Sequence, residues 1–89
     1  MNRERFHNEL AMRLGYERIV NNKRIMITVE DSDDPIVTVK VQGNDDIRFK
    51  ASGKTENNVY MAQPEMHKVL TEIADAVHQA YINANTSIF

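Results

Sequence analysis

The stretch RIMITVEDSDDPIVTVKV, residues 24–41, decides the fold of this chain. Both of its halves largely alternate apolar and polar side chains, and the aliphatic residues that recur at every second position are odd-numbered: Ile25, Ile27, Val29, Val37, Val39 and Val41. Alternation with a period of two is typical of strands that bury one face. The acidic residues and Pro35 between the halves favour a turn, because Asp and Ser side chains bond the local backbone. The stretch therefore predicts an antiparallel hairpin.

The alternation continues after this hairpin in two shorter runs, residues 47–51 and residues 59–61. Short alternating runs separated by Gly- and Asp-containing segments are typical of further antiparallel strands. A short edge strand over residues 16–20, before Asn21-Asn22, also fits the pattern. We therefore expect three to five strands, four of them at about 24–30, 36–41, 47–51 and 58–62.

Helical periodicity flanks the strands on both sides. Residues 2–14 carry apolar side chains four positions apart, and Gly15 stands where a left-handed C-terminal residue is favoured. Residues 64–84 carry an apolar stripe with the helical period. Pro64 suits the first turn, because proline lacks the N–H that would be unpaired there. Two helices are therefore predicted, the second followed by a short C-terminal tail.

Helix, meander and helix predict one two-layer α+β domain over residues 1–89, with the order α-β-β-β-β-α. Both helices would pack on the odd-numbered face of the sheet. Opposite residues of an antiparallel pair share a face, so the two paired numbers must sum to an even value. The pairings that satisfy this rule with ordinary loops are Val29 with Val37, Val41 with Ile47, and Ala51 with Val59.

Composition excludes several classes of protein. A chain of 89 residues hides only roughly 60–65% of its unfolded surface, so it needs nearly every apolar residue it has. It contains no cysteine, which excludes a disulfide framework and a thiolate zinc site. The charged N-terminus lacks a signal-peptide core, and no apolar run approaches the length of a membrane span. We expect a cytoplasmic domain without a membrane partner.

Residues 30–35, Glu-Asp-Ser-Asp-Asp-Pro, raise the question of a cation site. A calcium loop of the EF-hand type needs oxygen ligands at alternate positions, then a glycine, and finally a bidentate glutamate. Counted from Asp31, three of these places hold Pro35, Ile36 and Gln42. Asp45-Asp46 would lie roughly 20 Å away at the other end of the sheet. A solvated hairpin turn is predicted, with an acidic contact point for a partner as the alternative.

No catalytic constellation stands out in the sequence. His67 and His78 would lie about 16 Å apart along one helix, too far to bind the same metal ion. His7 falls in the apolar sector of the first helix, where a hydrogen-bonded residue at the core boundary is expected. The serines lie in predicted loops or the tail, without an elbow motif. We therefore expect no enzyme activity, no cofactor and no bound metal.

The even-numbered face of the predicted sheet, which we call the outer face, is more informative. The predicted register places Lys40 opposite Arg48 and Thr38 opposite Lys50, and like charges opposite each other are destabilising. A solvated face with Glu30 as counter-ion is one interpretation. The other is a docking surface for an acidic partner. Its candidate partner-binding residues are Arg24, Met26, Lys40, Arg48, Lys50 and Tyr60.

Two functions compete on this evidence. The first is a small non-enzymatic interaction protein that binds another protein; in overall plan the chain resembles short phage and mobile-element proteins, some of which block host nucleases. The second is RNA or DNA binding through the outer face. The element order resembles that of the double-stranded RNA-binding domain, but residues 64–68 lack that family's basic cluster at the start of the last helix. The net charge of −2 also disfavours nucleic acid.

Four apolar residues fall outside the predicted core stripes. Met12 and Ile82 lie on the polar sides of their helices, and Ile88 and Phe89 end the chain. Isolated exposed apolar residues are common, but four of them in a core-poor domain favour association. Homodimerisation therefore stays open as an expectation.

Overall fold

The computed structural model describes residues 1–53 and 66–86. Its elements, in chain order, are α1 (Arg3–Arg13), β1 (Glu17–Val20), β2 (Lys23–Val29), β3 (Ile36–Val41), β4 (Ile47–Lys50) and α2 (His67–Asn85). The four strands form one antiparallel sheet in the order β1-β2-β3-β4. The predicted α+β class and the order α-β-β-β-β-α are confirmed. The predicted strand at 58–62, its pairing with Ala51 and the predicted helix start at Pro64 lie outside the described residues.

The central hairpin of β2 and β3 has the predicted register. Val29 pairs with Val37, and Ile27 pairs with Val39. Within β2, β3 and β4 the odd-numbered residues are buried or half-buried, whereas their even neighbours are exposed or half-buried. The predicted direction of the two faces is therefore confirmed within the described part of the sheet.

The predicted pairing of Val41 with Ile47 is wrong by two residues. Ile47 pairs with Val39, because the Asn44 N–H donates to the Val41 carbonyl at 2.9 Å and closes a four-residue turn. Gly43 adopts a φ of 81° in this turn, a left-handed value that favours glycine. Asp45 and Asp46 then return the chain to the sheet before β4 begins. A shift of two residues keeps every side chain on its predicted face.

The edge strand β1 forms as expected. In this strand the odd-numbered residues face outward, the reverse of the arrangement in β2, β3 and β4. Asn21 and Asn22 have φ values of 53° and 65°, as required at both central residues of a two-residue type I′ hairpin turn. This turn pairs Val20 with Lys23, so that the paired numbers sum to an odd value. Odd-numbered residues of β1 therefore share the outer face with even-numbered residues of β2.

The two helices and the inner face of the sheet share one core. The Asn2 side chain caps α1 by accepting from the Arg5 N–H at 3.0 Å, and the Asn2 N–H donates to the Ala84 carbonyl at the end of α2. Between these ends, α1 contributes buried Phe6 and Leu10. The other buried hydrophobic residues of the core are Ile25, Ile27, Val37, Val39, Val41, Ile47, Ala51, Met66, Leu70, Ile73, Val77, Ala80 and Ala84.

Neither helix in the described part of the chain is both long enough and apolar enough to cross a membrane.

The alternation of faces predicts that two isoleucines of the same sheet contribute very differently to the free energy of unfolding. Ile25 in β2 is 0% exposed and Ile19 in β1 is 69% exposed. We expect Ile25→Ala to lower the free energy of unfolding by about 2–5 kcal/mol, because it leaves a cavity. Ile19→Ala should change it by less than about 0.5 kcal/mol. Urea titration followed by circular dichroism measures both.

Should Ile25→Ala fail to fold, Ile25→Val supplies a milder change, with an expected loss of about 0.5–1.5 kcal/mol. Equal losses for the alanine variants of Ile25 and Ile19 would contradict the assignment of the two faces.

Candidate functional site

Three of the predicted partner-binding residues lie together on the outer face. Met26 in β2 is directly opposite Lys40 in β3, and Arg24 is two positions before Met26 on the same strand. All three side chains are exposed. The pleat of the strand places residues two apart on one face, which explains why alternation alone could predict this group.

The other predicted members are displaced or undescribed. Arg48 in β4 lies opposite Thr38 rather than Lys40, and Lys50 lies opposite Ile36 rather than Thr38. The two-residue shift of β4 is the cause. Arg48 and Lys50 remain exposed on the outer face, but they lie towards the end of the sheet next to the acidic turn. Tyr60 lies outside the described residues.

Acidic side chains form exposed ion pairs with two of the cations on this face. Arg24 Nε lies 3.2 Å from Glu17 Oε1, and Arg48 Nη2 lies 3.9 Å from Glu30 Oε2. Glu30 is therefore the counter-ion that the sequence predicts. Within residues 1–53 and 66–86, no ion pair joins Lys40 to a carboxylate. Such exposed pairs are worth about 0–1 kcal/mol, so both arginines remain available to a partner.

One apolar residue of this face, Ile19, is not among the residues predicted from the sequence. Its side chain is 69% exposed, and the Met26 side chain is 40% exposed. The two are diagonal neighbours across β1 and β2, because Ile19 pairs with Arg24 and Glu17 pairs with Met26. The signal that could have found Ile19 is Asn21-Asn22, since a two-residue type I′ turn fixes the register and turns Ile19 outward.

Ile19 and Met26 border a depression in the outer face with a volume of about 610 Å³. This volume lies within the range of small-molecule and peptide pockets. At the edge of the depression, the Gln42 side-chain oxygen accepts a hydrogen bond from the Arg24 backbone N–H at 3.1 Å. The lining residues are Ile19, Asn22, Arg24, Met26, Lys40, Val41 and Gln42. Cations, amides and aliphatic groups can bind and orient a ligand.

The acidic stretch forms the loop between β2 and β3, as predicted, and its carboxylates have structural partners. Arg3 of α1 lies 3.4 Å from Asp31 and 3.5 Å from Asp33. The sequence predicts that Asp and Ser side chains of this stretch bond the local turn backbone, but the described hydrogen bonds of the Asp34 carboxylate reach outside the turn. This carboxylate accepts from the Ser52 hydroxyl at 2.7 Å and from the Ser52 N–H at 3.1 Å, beyond the end of β4. The loop therefore joins α1 and β4 to the central hairpin.

The described residues contain no group of three or more His, Cys, Asp or Glu side chains that could hold a metal ion.

His7 is half-buried, and its Nδ1 lies 3.0 Å from the Tyr16 hydroxyl, which in turn donates to the His7 carbonyl at 3.3 Å. The expectation of a hydrogen-bonded residue at the core boundary is confirmed. Burial raises the pKa of Tyr16 above its ordinary value. His78 lies 3.4 Å from the Ala51 carbonyl, at another place in the fold.

Comparison of the chain with models of protein families, with curated proteins and with solved structures gives no match.

The link between Asp34 and Ser52 predicts a pH-dependent contribution to stability. The Ser52 hydroxyl holds the pKa of Asp34 below its usual value; burial opposes this, and the Ser52 N–H and the charge of Lys50 add to it. Because the folded state binds the proton less tightly than the unfolded state, the contribution is fully present above the unfolded pKa of about 3.9. It is lost as pH falls through the lower folded pKa.

We expect Ser52→Ala to lower the free energy of unfolding by about 1 kcal/mol at pH 6. Its difference from the parent protein should shrink below about pH 4, as Asp34 takes up a proton in the parent. Urea titrations from pH 2 to pH 6 measure this. Ser32→Ala, in the same loop, is the control and should show a small, pH-independent change. A Ser52→Ala difference that stays constant over this range would refute the link.

Proposed function

We propose that this chain is a small non-enzymatic interaction protein that binds another protein through the outer face of its sheet. The observation that carries the proposal is the pair of exposed apolar side chains, Ile19 and Met26, beside Arg24 and Lys40 at one depression. Methionine and arginine are enriched at protein interfaces, and apolar centres with polar rims are typical of them.

The energetics of a short chain support this proposal. An apolar side chain of this size contributes about 1.5–3 kcal/mol when it is fully buried. A chain of 89 residues has few such side chains to spare, yet Ile19 is left mostly in water. A partner that covers Ile19 and Met26 would recover part of that free energy on binding. The described lining contains no hydroxyl, thiol, carboxylate or imidazole group, which supports a binding role over a catalytic one.

The proposal extends to a setting and a class of partner. A chain without cysteine suits a reducing compartment, so we place its action in the cytoplasm. The overall plan supports a phage or mobile-element accessory protein that acts by occupying a surface of a host protein. A second copy is a further candidate partner, because Met12 and Ile82 are exposed on the helices, at 83% and 42%.

Nucleic-acid binding is the competing proposal. The observation that favours it is that Arg24, Lys40, Arg48 and Lys50 are all exposed on the outer face. Glu17 and Glu30 pair with the two arginines and weaken the attraction to phosphate. The exposed Ile19 also lies in the part of the face that a phosphate backbone would approach. The structure therefore favours a protein partner.

A pair of matched double variants tests the proposal. Ile19→Ser with Met26→Ser removes the apolar side chains of the outer face, whereas Met12→Ser with Ile82→Ser removes the same two residue types from the helices. We expect a protein captured from host lysate by the parent chain to be captured equally by the helix variant. The purified partner should bind the sheet variant at least about tenfold more weakly, a loss of about 1.4 kcal/mol or more.

Three results would contradict the proposal. The first is loss of the partner from the helix variant but not from the sheet variant. The second is the absence of any stoichiometric protein partner. The third is capture that nuclease treatment abolishes and that weakens steeply with salt, which would support the nucleic-acid alternative.

A further inference from the structure

We infer that the depression on the outer face receives an acidic protein segment, in which a bulky apolar side chain lies beside one or more carboxylates. This inference deepens the proposed function and rests on it, because it names the chemistry of the partner for the same face.

Charge complementarity is the first argument. Arg24 and Lys40 are the charged residues of the lining, and both are cationic, although the chain as a whole has a net charge of −2. Lys40 lacks an ion-pair partner in the described part of the chain, and Arg24 is paired through Nε to the exposed Glu17. Asp45 and Asp46 lie in the turn at this end of the sheet, but neither forms an ion pair with these two cations. A carboxylate placed over the depression would therefore meet two accessible donors of positive charge.

The apolar part of the depression is the second argument. Ile19 and Met26 lie diagonally across two strands, and the aliphatic stem of Lys40 extends from the position opposite Met26. The volume of about 610 Å³ exceeds that of any single side chain. The flexible thioether of Met26 can adapt to different aliphatic or aromatic groups. A segment with carboxylates alone would leave these apolar surfaces in water, so the inferred partner combines both chemistries.

A second copy of the chain is a poorer occupant. Its acidic loop, residues 30–35, is the one dense run of carboxylates, but Asp31 and Asp33 pair with Arg3 and Asp34 is bonded to Ser52. Docking that loop on the depression would cost the two hydrogen bonds between Asp34 and Ser52, in addition to the weaker exposed pairs with Arg3. The negative charge that meets Arg24 and Lys40 is therefore better supplied by a different protein.

Single-stranded nucleic acid is also a poorer occupant. Such ligands are bound by aromatic side chains on which bases stack, at about 1–3 kcal/mol per base. The described lining contains aliphatic, amide and cationic side chains and no aromatic ring. Carboxylates on a polypeptide supply the same negative charge and bring apolar neighbours with them.

Peptide selection tests this inference. The full chain is used as bait for a library of random displayed peptides, after depletion of the library on the Ile19→Ser, Met26→Ser double variant. We expect the selected peptides to be enriched in Asp and Glu next to Leu, Ile, Met or Phe. A synthetic peptide of the selected sequence, labelled with a fluorophore, should then bind the parent chain with an affinity that falls as salt rises from 50 to 500 mM.

Charge-reversed variants sharpen the test. Lys40→Glu should lower the affinity for the labelled peptide at least tenfold, and Lys40→Gln should lower it less. Lys68→Glu reverses an exposed charge on α2 and is the matched control, with binding expected to equal that of the parent. Circular dichroism and thermal unfolding establish that each variant is folded before its affinity is measured.

Each of the remaining outcomes would overturn the inference. Peptides that depend on Ile19 and Met26 but are neutral or basic would overturn the acidic partner and leave the proposed function standing. Selection that yields only peptides bound equally by the double variant would overturn both. If light scattering shows that the parent chain is a dimer and that Lys40→Glu is a monomer, the occupant is a second copy of the chain. The last outcome is that no selected peptide depends on Ile19 and Met26, whereas a labelled RNA or DNA oligonucleotide binds the parent chain and not Lys40→Glu. That result would assign the face to nucleic acid.

Discussion

Burial of the odd-numbered side chains of β2, β3 and β4 beneath two helices is the interaction on which the rest of this structure depends. A chain of 89 residues has little apolar area to spare, and the central valines, Val37 and Val39, are completely covered. Because strand side chains alternate strictly, burying one set commits the other set to the opposite surface. Arg24, Met26 and Lys40 are thus presented outward by the same constraint that builds the core. The proposed binding face follows from the way the domain folds.

How much of this could be predicted from the sequence depends on whether the decisive signal was periodicity or turn geometry. Periodicity predicted both helices, the central hairpin and the face on which Arg24, Met26 and Lys40 meet. It could not detect the shift of β4, since moving a strand by two residues leaves every side chain on the same face. That shift separates Arg48 from Lys40. Ile19 was missed because its direction depends on the left-handed backbone of Asn21 and Asn22, which sets the register of β1 independently of the alternation in β2.

Polar contacts hold the edges of the sheet in the arrangement that the face requires. Arg18 crosses from the inner side of β1 to α2, where its Nη1 lies 3.1 Å from Glu72 Oε1. Among the described residues its buried Nε has no hydrogen-bond partner, which is a local cost to folding. The contact with Glu72 adds to the backbone pairing of β1 with β2, which presents Ile19 outward. At the other end of the sheet, Arg3 and Ser52 engage the acidic loop, which concentrates negative charge away from Lys40. The charged residues that line the depression, Arg24 and Lys40, are both cationic, although Asp45 and Asp46 lie in the turn at the same end of the sheet.

Methyl NMR with a soluble paramagnetic agent tests the central claim most directly, because relaxation reports how closely each methyl group approaches water. If the two faces are as described, the methyl groups of Ile19 and Met26 will relax strongly, as will that of the highly exposed Met12 on α1. The methyl groups of Ile25, Ile27 and Val39 will be protected. Protection of Ile19 and Met26 to the level of Ile25, or strong relaxation of Val39, would contradict the assignment of the two faces and with it the proposed binding face.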